Sequence, residues 1–290
     1  ESGSGKSVTF ASVMGLVRPP GRIEAGRILF EGRDLQALTP RQMRAIRGRD
    51  IAMTMQDALT ALNPALTVGE QMAEMMEAHD ESLPAARGAR RRAIADRSAG
   101  MLGLVGIPAP GERLRQYPHE FSGGMRQRIM IAIALASRPK LLIADEPTTA
   151  LDVTIQAQVL ELITDIRAEL GMSVVLITHD LGVVAEHCDR VIVMYAGQVV
   201  ETGPTADVIG APKHSYTKGL LGSIPRLALR GQRIRPIEGQ VPELIDLPPQ
   251  CRFYSRCPKR GPECLRPVEM HESGEGREAR CVRVAPELAR

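Results

Sequence analysis

Glu1-Ser2-Gly3-Ser4-Gly5-Lys6-Ser7 opens this 290-residue chain, and its reading decides the fold. Gly3, Ser4 and Gly5 let the backbone curl so that consecutive N–H groups face an anion. The helix expected after Lys6 adds its positive N-terminal end. Lys6 would neutralise the β- and γ-phosphates of a nucleotide, and the Ser7 hydroxyl would bind Mg²⁺. Such a loop reads G-x-x-x-x-G-K-[ST] and follows a buried strand. Here the first Gly would fall just before Glu1, so a longer polypeptide is expected around this sequence.

A glycine-rich loop alone is weak evidence, and the rest of the chain gives it weight. Leu141-Leu142-Ile143-Ala144-Asp145-Glu146 reads as a buried strand ending in two carboxylates. Open α/β sheets bind ligands at that edge. Asp145 would hold Mg²⁺ through water, and Glu146 would orient or deprotonate an attacking water. Taken alone, an adjacent Asp-Glu is more simply a helix N-cap with a first-turn acid; the phosphate loop reverses that preference. His179 is expected to end the apolar strand of Val174-Val175-Leu176-Ile177 and would sense the γ-phosphate while positioning Glu146. Gln56 ends Ile51-Ala52-Met53-Thr54-Met55 and could bridge Mg²⁺ and the water, although an ordinary polar strand end is a strong competing reading.

Ser122, Gly123 and Gly124 begin a second helix whose N-terminus is another anion site. One nucleotide cannot use both helix ends if the intervening segment holds them apart. A head-to-tail dimer is therefore expected, each Ser-Gly-Gly element capping the partner's ATP, with Asp152 between the two sites.

Strands alternating with helices predict a mainly parallel sheet with helices on both faces. The helix after Lys6 is expected to carry Phe10, Val13, Met14 and Val17 on one face and to stop at Pro19-Pro20-Gly21. Arg27–Phe30 and Val191–Met194 are further expected strands, and Ile155 to Leu170 a helix stopped by Gly171. Residues 67–125 read as an inserted helical subdomain, where Met72, Met75 and Met76 are packing. The expected division is a nucleotide-binding core of residues 1–66 and 126–210, the insertion, and an accessory segment of 211–290 broken by Pro225, Pro236 and Pro242.

Composition excludes several classes. The longest apolar run, Ile129 to Ala136, is far short of the roughly 20 residues that span a bilayer. Any membrane role would therefore be peripheral. A net charge of +3 and 3% aromatic residues, with no Trp, argue against nucleic acid as a partner. Arg87, Arg90, Arg91 and Arg92 read as a solvated helix face.

From Glu1 to about Gly203 the motifs resemble the ATPase subunits of ABC transporters. The resemblance implies a RecA-like P-loop ATPase core of α/β class and ATP with Mg²⁺ as ligands. It gives Ser2 to Ser7 the phosphate-loop role, Gln56 the Q-loop, Ser122-Gly123-Gly124 the signature, Asp145 and Glu146 the Walker B pair, Asp152 the D-loop and His179 the switch. Met125 replaces the signature's usual Gln. Gln56-Asp57-Ala58-Leu59-Thr60-Ala61-Leu62-Asn63-Pro64, Tyr117-Pro118-His119-Glu120-Phe121 and His214-Ser215-Tyr216-Thr217 narrow the likeness to bacterial dipeptide/oligopeptide importers and their nickel-uptake relatives. The implied partners are a second ATPase subunit, two transmembrane permeases and an extracytoplasmic substrate-binding protein, at the cytoplasmic face of the inner membrane. A soluble ABC ATPase of DNA repair or ribosome work is the alternative from another class.

Cys251-x5-Cys257-x6-Cys264-x16-Cys281 marks the tail as a small Cys-rich domain that needs a staple. Four thiolates suit either a [4Fe–4S] cluster or tetrahedral zinc. Zinc sites usually use pairs two to four residues apart, which this set lacks. The resemblance to peptide importers implies [4Fe–4S]. Cys188 stands apart and is expected to be a small buried residue.

Overall fold

The structure, a computed structural model, describes residues 3–149, 151–224 and 236–284, except for the side chains of 58 and 59. Ser2 and Pro225 from the expectations above lie outside the described residues. The chain forms two compact units, residues 9–177 and residues 1–8 with 178–290.

Helix α1 (Lys6–Val13) follows the phosphate loop. It ends earlier than expected, because Gly15 adopts φ +59° and closes a glycine cap. The Leu16 N–H reaches the Ala11 carbonyl at 2.8 Å and the Gly15 N–H reaches Ser12 at 2.9 Å. This closure satisfies the last carbonyls, so Val17 and the Pro-Pro-Gly lie beyond the helix. The expected strand at Arg27–Phe30 shrinks to a hairpin of β1 (Leu29–Phe30) and β2 (Arg33–Asp34). Glu31 and Gly32 both take positive φ, as a tight two-residue turn requires. Helix α2 (Pro40–Ile46) starts on a capping box of Thr39 and Gln42.

Strands β3 (Ile51–Thr54), β4 (Leu141–Asp145) and β5 (Ser173–Ile177) form a parallel sheet with β4 in the centre. Side chains alternate between its faces. Ile51, Ile143 and Ile177 pack on Met14, Leu35, Met43 and Ile46. Ala52 and Leu142 pack on the opposite side with Ile129, Val159 and Ile163. Burying each large aliphatic side chain is worth about 1.5–3 kcal/mol, so the apolar runs fix the strands in this layer.

Between β3 and β4 the chain is helical, as expected, with α3 (Ala58–Ala61), α4 (Val68–His79), α5 (Arg87–Leu104), α6 (Pro110–Arg113) and α7 (Gly123–Leu135). Met72 and Met76 are buried with Ile94, Met101 and Leu102 and so act as packing. Arg87, Arg91 and Arg92 are exposed on α5. Helix α8 (Val153–Leu170) stops at Gly171, whose φ is +63°.

The second unit corrects the expectation of one mainly parallel sheet. Helix α9 (Leu181–His187) leads to β6 (Arg190–Tyr195), which turns back at once into β7 (Gln198–Pro204). Ala196 and Gly197 hold positive φ in the turn. Strands joined by two residues pair antiparallel, and β6 with β7 belongs to a sheet separate from that of β3–β5. Helices α10 (Thr205–Gly210) and α11 (Ser215–Gly222) follow. The tail then adds β8 (His271–Gly274) and β9 (Arg277–Ala279), giving an antiparallel sheet in the order β6-β7-β9-β8.

The tail is thereby continuous with this unit's core. Phe253 stands edge-on to Tyr195 at 5.1 Å and 5.5 Å from Tyr216, within a cluster that includes Val191, Val193 and Val200. Cys188 is partly buried against the same cluster. A second fastening is polar. Glu201 of β7 is 0% exposed and accepts a 2.8 Å bond from Arg277 Nη2 of β9. The same carboxylate accepts the N–H groups of Lys213 at 2.8 Å and His214 at 3.0 Å, and Arg277 also donates to the Ala211 carbonyl. Among the described residues, no helix is long and apolar enough to cross a membrane.

Candidate functional site

The phosphate loop lies in the unit of residues 1–8 and 178–290. Gly3 and Gly5 take φ +77° and +91°, the curl expected of a loop that turns its N–H groups toward an anion. At Gly5 a Cβ would also stand 3.3 Å from the Gly197 Cα, because the β6–β7 turn packs against the loop. The Gly197 N–H donates to the Ser4 carbonyl at 3.0 Å. Ser4 is buried, and its Oγ accepts from Lys6 Nζ at 3.2 Å. Lys6 and Ser7 open α1, Ser7 exposed.

His179 is in the same unit, exposed, in the turn between β5 and α9. It lies two residues beyond the strand it was expected to end. Its neighbours fix the turn: the Asp180 N–H donates to Thr178 Oγ1 at 3.0 Å, and the Asp180 carboxylate caps α9 through the Gly182 N–H at 2.8 Å.

The other unit assembles a second group of expected residues. Asp145 ends the central strand and is only 6% exposed. Glu146 follows with φ +45°, a conformation a non-glycine residue seldom adopts. Its N–H is tied to the Ile177 carbonyl at 2.9 Å. Its carboxylate accepts from Gln56 Nε2 at 3.0 Å and from Thr149 Oγ1 at 2.8 Å. The structure therefore brings Gln56, the residue with the strongest competing reading, to Glu146. Thr149 was missed from sequence; its signal is its position three residues after Glu146, where a turn bond of 3.1 Å returns its N–H to the Glu146 carbonyl.

Ser122 caps α7, accepting the Met125 N–H at 3.4 Å, with Gly123 and Gly124 in the first turn. Gly124 has a packing reason as well, since a Cβ there would lie 2.7 Å from Ile155 Cγ2 of α8. Asp152 caps α8 through the Ile155 N–H at 3.0 Å. Asp145 with Glu146 and Gln56 thus form one constellation, while Ser122 and Asp152 hold the starts of two neighbouring helices.

The four tail cysteines line one small cavity of about 20 Å³ together with His214, Phe253 and Val268. Burial pushes the Cys251 thiol up to about 11 and raises Cys281 in the same direction. His214 is buried beside the cavity, and burial pushes it down to about 4. The four thiols thus face a common cavity. Among the described residues, however, no group of three or more His, Cys, Asp or Glu side chains stands ready to hold a metal ion, so the expected metal centre has no support from side-chain placement.

Curled glycines before a lysine, and a strained glutamate beside a buried aspartate at a parallel sheet's edge, define a P-loop nucleotide hydrolase. The chain belongs to the ABC transporter family, whose model matches residues 1–149, and the model for the oligopeptide/dipeptide transporter C-terminal region matches residues 200–264. It is 56% identical over 267 residues to the dipeptide transport ATP-binding protein DppD of Bacillus subtilis, covering 92% of this chain and 78% of that protein. It is 47% identical to DppD of Escherichia coli, covering 97% and 84%. Among solved structures, it resembles CbiO1 from Clostridium perfringens, part of the transporter complex CbiONQ, with a TM-score of 0.61 at 27% identity over 73% of this chain and 77% of that one. The cassette MJ0796, solved as a dimer bound to ADP and Pi, aligns with a TM-score of 0.59 at 27% identity, covering 71% and 82%.

Proposed function

We propose that this chain hydrolyses ATP as the energising subunit of a bacterial importer of di- and oligopeptides, peripheral to the cytoplasmic face of the inner membrane. The observation that carries the catalytic part is the Glu146 carboxylate, held by Gln56 at 3.0 Å and Thr149 at 2.8 Å on a backbone in the left-handed region. A carboxylate fixed in this way is pre-organised to orient the water that attacks the γ-phosphate and to take its proton.

The remaining roles follow from the chemistry of each group. The N–H groups of Gly3 to Ser7 and the Lys6 ammonium bind the phosphates. Ser2 belongs to the same loop. Ser7, Gln56 and Asp145 would hold Mg²⁺, which supplies positive charge against the phosphate oxygens. His179 senses the γ-phosphate. Ser122, Gly123 and Gly124 of a second cassette close over the nucleotide, and Asp152 links the two sites. Dimer closure draws together the permease subunits of a complex that an extracytoplasmic binding protein supplies with peptide. Residues 1–66 and 126–210 serve as the nucleotide-binding core, 67–125 as the helical subdomain and 211–290 as the accessory domain.

Glu146→Gln tests this reading in the assembled transporter. Turnover should fall by 10²-fold or more, the usual contribution of a positioned acid–base group, while ATP binding persists. Unchanged turnover would remove Glu146 from the chemistry.

We also propose that Cys251, Cys257, Cys264 and Cys281 hold a [4Fe–4S] cluster that staples the tail. Support comes from the donor set, four thiols around one cavity. A bound cluster would supply four iron–thiolate bonds across the segment from Cys251 to Cys281. Anaerobically purified protein should then carry about four irons and four sulfides per chain; one zinc and no iron would sink the assignment.

A further inference from the structure

A second cavity in the same unit adjoins the cysteine cavity, with His214, Cys251, Phe253 and Val268 lining both. It measures about 170 Å³ and is lined by Gln198, Gln250, Arg252, Glu269 and Arg280, with Val200, Val268 and three prolines as apolar wall. A space of roughly 10–15 Å³ already accepts a water molecule, so this one has room for a ligand of several heavy atoms.

Its charge comes from local chain geometry. Arg252 follows Cys251, and Arg280 precedes Cys281. Arg252 lies in the turn closed by the Tyr254 N–H on the Cys251 carbonyl at 2.9 Å, and Arg280 directly follows β9, so the segments that carry two of the thiols also bring guanidinium groups to this cavity. Each arginine is held by backbone carbonyls along one edge. Arg252 Nη1 donates to the Ala196 carbonyl, and Arg280 donates from Nε to Val199 at 2.9 Å and from Nη1 to Val268 at 2.8 Å. Among the described residues, Arg280 Nη2 and Arg252 Nε and Nη2 have no hydrogen-bond acceptor. Both side chains are partly buried. Guanidinium groups stay protonated in proteins. The single carboxylate at the cavity, Glu269, is exposed and 3.9 Å from Arg280. Two cations against one solvated anion leave the cavity net positive.

We propose that this cavity is a binding site for the carboxylate of a small organic acid, the free C-terminus of a short peptide being one source. The planar fork of arginine matches a carboxylate in two parallel bonds. Gln198 and Gln250 supply further amide donors, and the proline and valine wall suits a short aliphatic body.

Calorimetric titration of the full chain with alanyl-alanine, its C-terminal amide, acetate and inorganic phosphate tests the proposal. Alanyl-alanine should bind saturably, and the amide at least about tenfold more weakly, the loss expected when a charged acceptor is removed. Acetate binding in competition with alanyl-alanine would make the carboxylate itself the recognised group. Arg252→Gln and Arg280→Gln should each weaken alanyl-alanine by a similar factor, and Arg280→Gln, whose partners lie away from the phosphate loop, should leave ATP affinity unchanged. Equal binding of dipeptide and amide would overturn the proposal in the unaltered protein, whatever the variants do to folding. Phosphate binding without carboxylate binding would overturn it too.

Discussion

At the end of β4 the Glu146 carboxylate is partly open to solvent, held by two side chains on a strained backbone; in β7 the Glu201 carboxylate is fully buried, held by a guanidinium and two backbone N–H groups. One glutamate directly follows a strand and the other lies within one, and their surroundings ask different things of them. Glu146 keeps its oxygens where a reacting water can reach, and its αL backbone stores strain of the order of 1–3 kcal/mol that neighbouring structure must offset. Glu201 is saturated by donors and sealed from water, so it acts as a fastener between the tail and β7. A polar group that works is kept near solvent, and one that holds is buried and fully bonded.

The sharpest way to break this contrast is at Arg277. Arg277→Leu leaves Glu201 buried with its N–H donors but without a counter-charge, and removing one partner of a buried pair costs about 3–5 kcal/mol. Urea unfolding of the full chain, followed by far-UV circular dichroism since the chain has no Trp, reads this directly. The double variant Glu201→Gln with Arg277→Leu should recover most of the loss, because no unpaired charge remains. A loss below about 1 kcal/mol in the single variant would show that Glu201 is hydrated and that the two glutamates are not so different.

His214 sharpens the same contrast through pH. It is buried, its Nδ1 accepts the Tyr216 N–H at 3.1 Å, and burial outweighs the neighbouring Glu201 charge in lowering it to about 4. Unfolded, the imidazole titrates near 6.5. Between those values the unfolded chain binds a proton that the folded chain does not, so stability is complete above pH 6.5 and falls as pH drops toward 4. The limiting loss is about 3 kcal/mol. His214→Asn keeps an acceptor for α11 and should flatten the slope in that window; an equally steep slope in the variant would assign it to other groups.

The sequence was most legible where pattern and chemistry coincide. Leu141–Asp145 is apolar throughout because both faces of the central strand are covered, and its last residue had to be the carboxylate at the sheet edge. Gly171 announced the end of α8 by the same logic. Two kinds of feature were not legible. The end of α1 looked set by Pro19-Pro20-Gly21, but Gly15 could reach the left-handed region first. The place of β6 was misread because apolar content makes a strand without saying which neighbour it pairs with; the two-residue turn at Ala196 and Gly197 decided that. In the site, Thr149 gave no periodic or compositional sign, since its role depends on the unusual backbone of Glu146. The Glu201–Arg277 pair joins residues 76 positions apart and has no local signature.

The smallest expected effect separates two glycines that look alike in sequence. Gly123 and Gly124 both lie in the first turn of α7, and an alanine in a helix is ordinarily favoured over glycine by about 0.8–1 kcal/mol. A Cβ at Gly123 meets nothing within 4 Å, so Gly123→Ala should be neutral or mildly stabilising. At Gly124 the added carbon would lie 2.7 Å from Ile155 Cγ2, so the Ile155 side chain, stiff at χ1 because it is β-branched, or its backbone must shift. Overpacking of this kind costs about 1–3 kcal/mol, which outweighs the helix gain and leaves a net loss of about 1 kcal/mol. Thermal unfolding of the two variants reads the difference, and Ile155→Ala in the Gly124→Ala background should remove the overlap. If both alanines behave alike, the close approach of α7 and α8 is not a constraint, and the second glycine of the Ser-Gly-Gly element owes its place to the anion its helix end would meet.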